Sequence, residues 1–256
     1  MKKLFLMVLG AIMMIPALAQ ETTKKSSRKE LRRQRINEII KQEEEGVIKY
    51  KKHTVVGVKL TSDGYGGFFE IGRAQSVKRG LLFQLDISEK KHPKEHKQQI
   101  FANTAPEIYG KRNFFYPVKL GVQQQFLLGN KSNKNGVSIT GNVGGGFIAG
   151  LLRPYMVEVE VPGGTKYITS DDSLFNQPHI GGPNLGTGWN KLKVTPGIYI
   201  KPAVRFDYGK YNEVVSAIEV GLAGEFYTKK IDQLLGVKQK QFFFSAYVSI
   251  IFGRRK

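Results

Sequence analysis

Three groups of residues in this chain have types and spacings that could carry chemistry. Gly144-Gly145-Gly146-Phe147-Ile148-Ala149 satisfies G-x-G-x-x-A, the pattern with which a dinucleotide-binding turn brings backbone amides against a pyrophosphate. That chemistry needs a strand-to-helix turn. Here the glycines sit inside an alternating run, Ile139, Gly141, Val143, Gly145 and Phe147, where glycine relieves crowding or bends a strand. The expected role is structural. His92-Pro93-Lys94-Glu95-His96 sets two imidazoles four residues apart beside a carboxylate. On a helix they would share a face and could hold zinc, but Pro93 and the neighbouring lysines predict a loop, and no third ligand is evident. Asp171-Asp172-Ser173 offers oxygen ligands to calcium without the ordered spacing of a dedicated loop. Neither G-x-S-x-G nor H-E-x-x-H occurs, and the chain has no cysteine for a thiolate zinc site or a disulfide. The sequence predicts a non-enzymatic protein with no catalytic residue, no cofactor and no metal.

A second set of polar residues is more systematic. Lys59, Arg73, Asp86, Lys119, Lys201, Arg205, Asp207, Glu219 and Glu225 occupy alternate positions against apolar neighbours. Leu81, Phe83, Leu85 and Ile87 oppose Gln84, Asp86 and Ser88, while Phe242, Phe244, Ala246, Val248, Ile250 and Phe252 share one face of the last run. Period-two alternation predicts strands, eight in number: 50–62, 66–77, 79–88, 115–128, 136–152, 197–207, 214–228 and 242–252. Several reach the roughly 9–11 residues of a tilted membrane strand, whereas soluble strands average about 5–6. The fold class predicted is all-β: an eight-stranded antiparallel transmembrane β-barrel, ten-stranded if a hairpin at 155–169 joins the wall. A barrel of this size is filled by side chains, and opposite charges inside it must pair. A lumen plugged by ion pairs is therefore expected. The alternative is a narrow anion-preferring path lined by Lys59, Lys119, Lys201 and Arg205. A soluble lipocalin-like barrel, with the same alternation turned apolar side inward, is a further reading.

The connections alternate in length. Short turns follow the second, fourth and sixth strands, and long segments at 89–114 and 153–196 follow the third and fifth, the asymmetry of short periplasmic turns and long outer loops. Both termini then fall on the periplasmic side. Met1-Lys2-Lys3, the apolar stretch Leu4 to Ile15 and Ala17-Leu18-Ala19 read as a signal peptide over 1–19. Residues 20–46 are charged and rich in helix formers, with Ser27 and Glu30 in capping-box spacing, and predict a short periplasmic helical segment. The barrel proper is expected from residue 47 onward.

Net charge is +19. For an exported chain this predicts outer-membrane lipid, lipopolysaccharide phosphates or an acidic partner as counterparts and not nucleic acid. Aromatic runs such as Phe68-Phe69, Phe114 to Tyr116 and Phe242 to Phe244 predict a girdle at headgroup depth. Segment 153–196 holds a predicted hairpin around Pro162-Gly163-Gly164 and the sole tryptophan, Trp189. That ring is either a binding anchor or packed on its own barrel.

Gln20 directly after the signal cut, the run Gly57-Val58-Lys59-Leu60-Thr61-Ser62-Asp63-Gly64-Tyr65-Gly66 and the ending Tyr247-Val248-Ser249-Ile250-Ile251-Phe252-Gly253 resemble the small outer-membrane β-barrel proteins of the Bacteroidetes type. The resemblance implies an aromatic last strand read by the barrel-assembly machinery, although four residues follow Phe252 here. It also implies a structural or accessory subunit of an envelope machine for outer-membrane protein assembly or protein export. Partner contact is expected through 20–46 or the 153–196 loop. A lipid-modifying barrel enzyme is the least supported alternative, because no polar catalytic cluster is found by spacing.

Overall fold

The computed structural model describes residues 51–256 apart from 77, 100–103, 132–135, 185 and 212, together with Glu30, Arg33, Ile36 and Asn37. The chain divides into two compact units, Met1–Gln42 and Glu43–Lys256. In the first, the four described residues are helical and exposed; the signal segment 1–19 and most of the 20–46 segment lie outside the described residues.

Alternation produces a wall of eight strands: β1 (Lys52–Thr61), β2 (Gly64–Ala74), β3 (Arg79–Lys90), β6 (Asn113–Gly129), β7 (Ser138–Pro154), β11 (Lys193–Asp207), β12 (Val214–Ile231) and β13 (Lys240–Arg255). Each pairs antiparallel with the next, and β1 pairs with β13 from His53↔Arg255 to Thr61↔Tyr247, closing the barrel. Every wall strand has two neighbours, so no ladder edge is left open, as hydrocarbon requires. The wall thus has eight strands and not ten. The hairpin is formed, by β8 (Met156–Val161) and β9 (Gly164–Thr169), but it joins β10 (His179–Gly181) in a separate three-stranded sheet. Gly163 and Gly164, at φ of 98° and 142°, make its turn, a backbone region in which a side chain is strained. A two-stranded bridge between β4 (Lys97–Gln98) and β5 (Glu107–Ile108) completes the strands.

The two faces of the wall have opposite chemistry. Val56, Val58, Leu60, Phe83, Ile87, Leu120, Phe147, Ile198, Ile200, Phe226, Phe244, Val248 and Phe252 are exposed outward, while the inward positions between them include Lys59, Glu70, Asp86, Lys119, Arg205, Glu219 and Glu225. A lipocalin-like barrel would show the reverse. The outward band must meet hydrocarbon, where each large apolar side chain is worth about 1.5–3 kcal/mol relative to water. This is a membrane-spanning barrel.

Two of the sequence expectations need correction. Arg73 points outward with Phe69 and Ile71 and not into the lumen; the inward residues of β2 are Phe68, Glu70 and Gly72. Near the end of a strand, an outward arginine can reach the headgroups with its charge while its stem covers apolar surface. The girdle is also thinner than the runs of aromatics suggest, because adjacent rings in a strand face opposite ways. Phe68, Phe115 and Tyr227 are buried inward, whereas Phe69, Phe226, Phe242 and Phe244 face out.

Candidate functional site

The lumen is occupied by paired charge. Lys59, Asp86, Lys119, Lys201, Arg205, Asp207, Glu219 and Glu225, all expected inside, are buried to 4% exposure or less. Arg205 is the hub of one cluster. Its guanidinium binds Glu70 through two parallel bonds of 2.8 and 2.9 Å and donates from Nε to Glu219 at 2.8 Å. Bidentate pairing of this kind fixes geometry as well as charge. Glu219 also accepts from Tyr247 Oη at 2.8 Å and from Asn142 at 3.0 Å, and pairs with Lys201 at 3.3 Å. His53 lies 3.2 Å from Glu70. In a second cluster Glu225 binds Lys119 at 2.6 Å, Lys90 at 3.0 Å and Tyr227 Oη at 2.8 Å, while Lys90 also reaches Asp63 at 2.7 Å. Lys59 pairs with Asp86. Gln84 joins the clusters: its carbonyl accepts from Lys201 at 3.0 Å and Gln123 at 2.6 Å.

Apolar packing reinforces this fill toward both ends. Phe115, Ile148, Leu152, Tyr199, Tyr227 and Ile231 pack together toward the long-loop end, and Val55, Phe68, Val215, Ala217 and Ile251 toward the short-turn end. The Tyr199 hydroxyl reaches from β11 to Gly121 of β6, and its backbone carbonyl lies against Gly145 of β7. A Cβ added to Gly121 would stand 2.3 Å from that hydroxyl, and one added to Gly146 only 2.2 Å from the Leu120 carbonyl oxygen. Gly144, Gly145 and Gly146 therefore make room inside β7 for the backbone of the strands on either side and for the Gln123 side chain, and no strand-to-helix turn is present at the dinucleotide-like pattern.

The long connections fold into a cap. Ile108, Tyr155, Val157, Val159 and Ile168 form its core, with Phe114, Val161, Leu174 and Phe175 against it. Tyr155 Oη accepts the Ile108 N–H at 2.7 Å, and burial pushes its phenol up to about 12. His179 bridges Glu107, at 2.6 Å, and the Phe175 carbonyl, at 2.8 Å. Arg112 binds both Asp171 and Asp232, so three connections meet on one guanidinium. Lys111 pairs with Glu95 at 2.6 Å; burial pulls its ammonium below the ordinary value and Glu95 opposes that shift.

These contacts account for the remaining sequence candidates. The Glu95 carboxylate caps the His92 N–H at 3.0 Å and pairs with Lys111. Asp171 serves Arg112, and Asp172 accepts the Leu174 N–H at 3.1 Å as the cap of a short 3₁₀ turn. Among the described residues no three His, Asp or Glu side chains gather to hold a metal ion. Trp189 stacks on Tyr116, at 5.7 Å and 17° between rings, and covers the Arg153 guanidinium at 4.9 Å. Phe114 covers Arg153 from 4.1 Å. The ring is therefore committed to its own barrel. Glu70, His53 and Asn142 also belong to the lumen network, with Gln84, which shares the face of Asp86 in its alternating run; Gly141 beside Asn142 and the glycines of β2 around Glu70 obscure the phase of those two residues.

One further cavity, of about 250 Å³, opens at the short-turn end and is lined by Lys51, His53, Lys78, Arg205, Arg255 and Asp207 among others. Arg255 pairs with Asp207 across β11 and β13.

No family model matches the chain, and no curated relative matches it. Among solved structures it is similar to the N-terminal β-barrel domain of Pseudomonas aeruginosa OprF, with 9% identity, a TM-score of 0.38 and coverage of 80% of this chain and 99% of that one. It is also similar to Neisserial surface protein A (NspA), with 10% identity, a TM-score of 0.37 and coverage of 80% and 96%.

Proposed function

We propose that this barrel resides in an outer membrane, long loops outward, as a closed, non-enzymatic scaffold: a structural or accessory subunit of an envelope assembly for outer-membrane protein assembly or export. The observation that carries this reading is the filled lumen. Lys59, Lys119, Lys201 and Arg205, the side chains that would line an anion path, are each engaged by a carboxylate. Ions could pass only if pairs desolvated together were broken, at several kcal/mol each. What the barrel does offer outward is a shaped cap, tied by Arg112, His179 and the Trp189 stack, and such loops on a rigid support are where binding function concentrates.

The test is affinity purification from outer membranes in mild detergent, followed by planar-bilayer recording of the purified protein. A stoichiometric envelope partner lost on disrupting the β8–β9 hairpin or deleting residues 24–45, with no steady conductance, is the expected result. Large, steady, anion-selective conductance would replace the scaffold reading by the channel.

A further inference from the structure

A cleft of about 220 Å³ opens at the long-loop end of the wall, between the segment after β3 and the start of β13. Lys91, His92, Lys238 and Lys240 line it beside Phe242 and Phe244. The two rings are 58% and 63% exposed on the outward face, so one wall of the cleft is continuous with the lipid-facing band. Lys229 and Lys230 add positive charge on β12, the strand that pairs with β13. None of the ion pairs among the described residues uses Lys91, Lys229, Lys230, Lys238 or Lys240. Asp63, the one carboxylate lining the cleft, is already bound to Lys90 at 2.7 Å.

Like charges gathered without a counter-charge repel one another and favour an anion between them. Rings exposed beside them favour acyl chains. A single ligand that meets both demands is an amphiphile with an anionic head. We propose that this cleft binds the phosphorylated headgroup of a membrane lipid, its phosphate held by Lys91, Lys238 and Lys240 and its chains laid along Phe242 and Phe244. The inference rests on the wall facing lipid and is independent of any role in an envelope machine.

Three probes separate the sources of the phosphate chemistry: bisphosphorylated lipid A, the same lipid with its phosphates removed, and inorganic pyrophosphate. Binding to the detergent-solubilised protein is read by native mass spectrometry for the unaltered chain, for K238Q/K240Q, and for K52Q/R254Q at the opposite rim. Heat-modifiable migration on gels shows that each variant has folded. K238Q/K240Q is expected to bind bisphosphorylated lipid A about thirtyfold more weakly, from the loss of two lysines near a headgroup. Dephosphorylated lipid should bind the unaltered chain with a similar deficit, K52Q/R254Q should bind as the unaltered chain does, and millimolar pyrophosphate should displace no lipid. Equal binding of dephosphorylated lipid, or of lipid A by K238Q/K240Q, would overturn the proposal, leaving the apolar band alone to hold lipid. Displacement by pyrophosphate would also overturn it, in favour of a soluble-anion site.

Discussion

Replacing Arg205 by Met tests whether the lumen is a dry, paired interior. The guanidinium makes three charge-assisted bonds, two to Glu70 and one to Glu219, and both carboxylates are fully buried. Without it, Glu70 keeps His53 at 3.2 Å and Gln84 at 3.5 Å, while Glu219 keeps Lys201, Tyr247 and Asn142. Glu70 is thus the carboxylate left short of positive charge. Removing one partner of a buried pair costs about 3–5 kcal/mol, and R205M should lose that amount in reversible denaturant unfolding from short-chain phosphatidylcholine vesicles. The double variant E70Q/R205M removes the stranded charge together with its partner and should recover most of the loss, because the cost belongs to the uncompensated ion and not to the missing bond. If R205M loses under about 1 kcal/mol, water reaches the pair and the interior is solvated. If E70Q/R205M loses as much as R205M alone, the cost lies in packing around the guanidinium stem, and charge pairing is not what fills the barrel.

Other expectations follow from local geometry. In G146A the added Cβ would stand 2.2 Å from the Leu120 carbonyl oxygen and 2.5 Å from the Gly121 Cα. Backbone cannot yield as a side chain can, so the loss should reach about 1–3 kcal/mol by the same unfolding assay. Tyr155 has its phenol raised to about 12 by burial. A raised folded value means its contribution to stability is complete below the ordinary value near 10 and is lost between about 10 and 12; ultraviolet titration of the unaltered protein against Y155F should show this ionisation delayed. Y155F also leaves the Ile108 N–H without its acceptor, which should cost about 1–3 kcal/mol and appear as faster amide exchange confined to the cap. Trp189 is the sole tryptophan, so its fluorescence reports the cap alone. R153A should shift its emission to the red by opening the face that Arg153 now covers.

The wall was legible because its two faces differ in every strand, and all eight strands lie within a few residues of the alternating runs. Where the reading faltered, the contrast was locally absent. In Gly66-Gly67-Phe68-Phe69-Glu70-Ile71-Gly72-Arg73 three glycines carry no phase and two identical rings face opposite ways, which hid Glu70 and misplaced Arg73. The strand expected from 197 begins at Lys193 because Pro196, ordinarily a boundary signal, is accommodated in the wall opposite Ala149. The cap was less legible. Its hairpin announced itself through Pro162-Gly163-Gly164, but β10 pairing with β8 and Arg112 reaching Asp171 and Asp232 join residues remote in sequence, and no local periodicity encodes such contacts. The two clefts were hidden for the same reason: Lys91 and Lys240 meet only when β3 and β13 are in place.

The seam between β1 and β13 has a bearing on how the molecule is made. Its nine residue pairs, from His53↔Arg255 to Thr61↔Tyr247, join the first strand of the wall to the last. A ribosome delivers those partners in order, so no closed cylinder can exist until the final strand has emerged, however early the intermediate hairpins form. Before that moment Lys59, Glu70 and Glu219 face an open trough in contact with water, and the apolar outer face has no complete girth. Zipping the seam is therefore also the step that dries the interior. Sealing and dehydration become one event at the end of biogenesis, and a chain delayed there would present both an unpaired strand margin and unsheltered charge to whatever guides it into the bilayer.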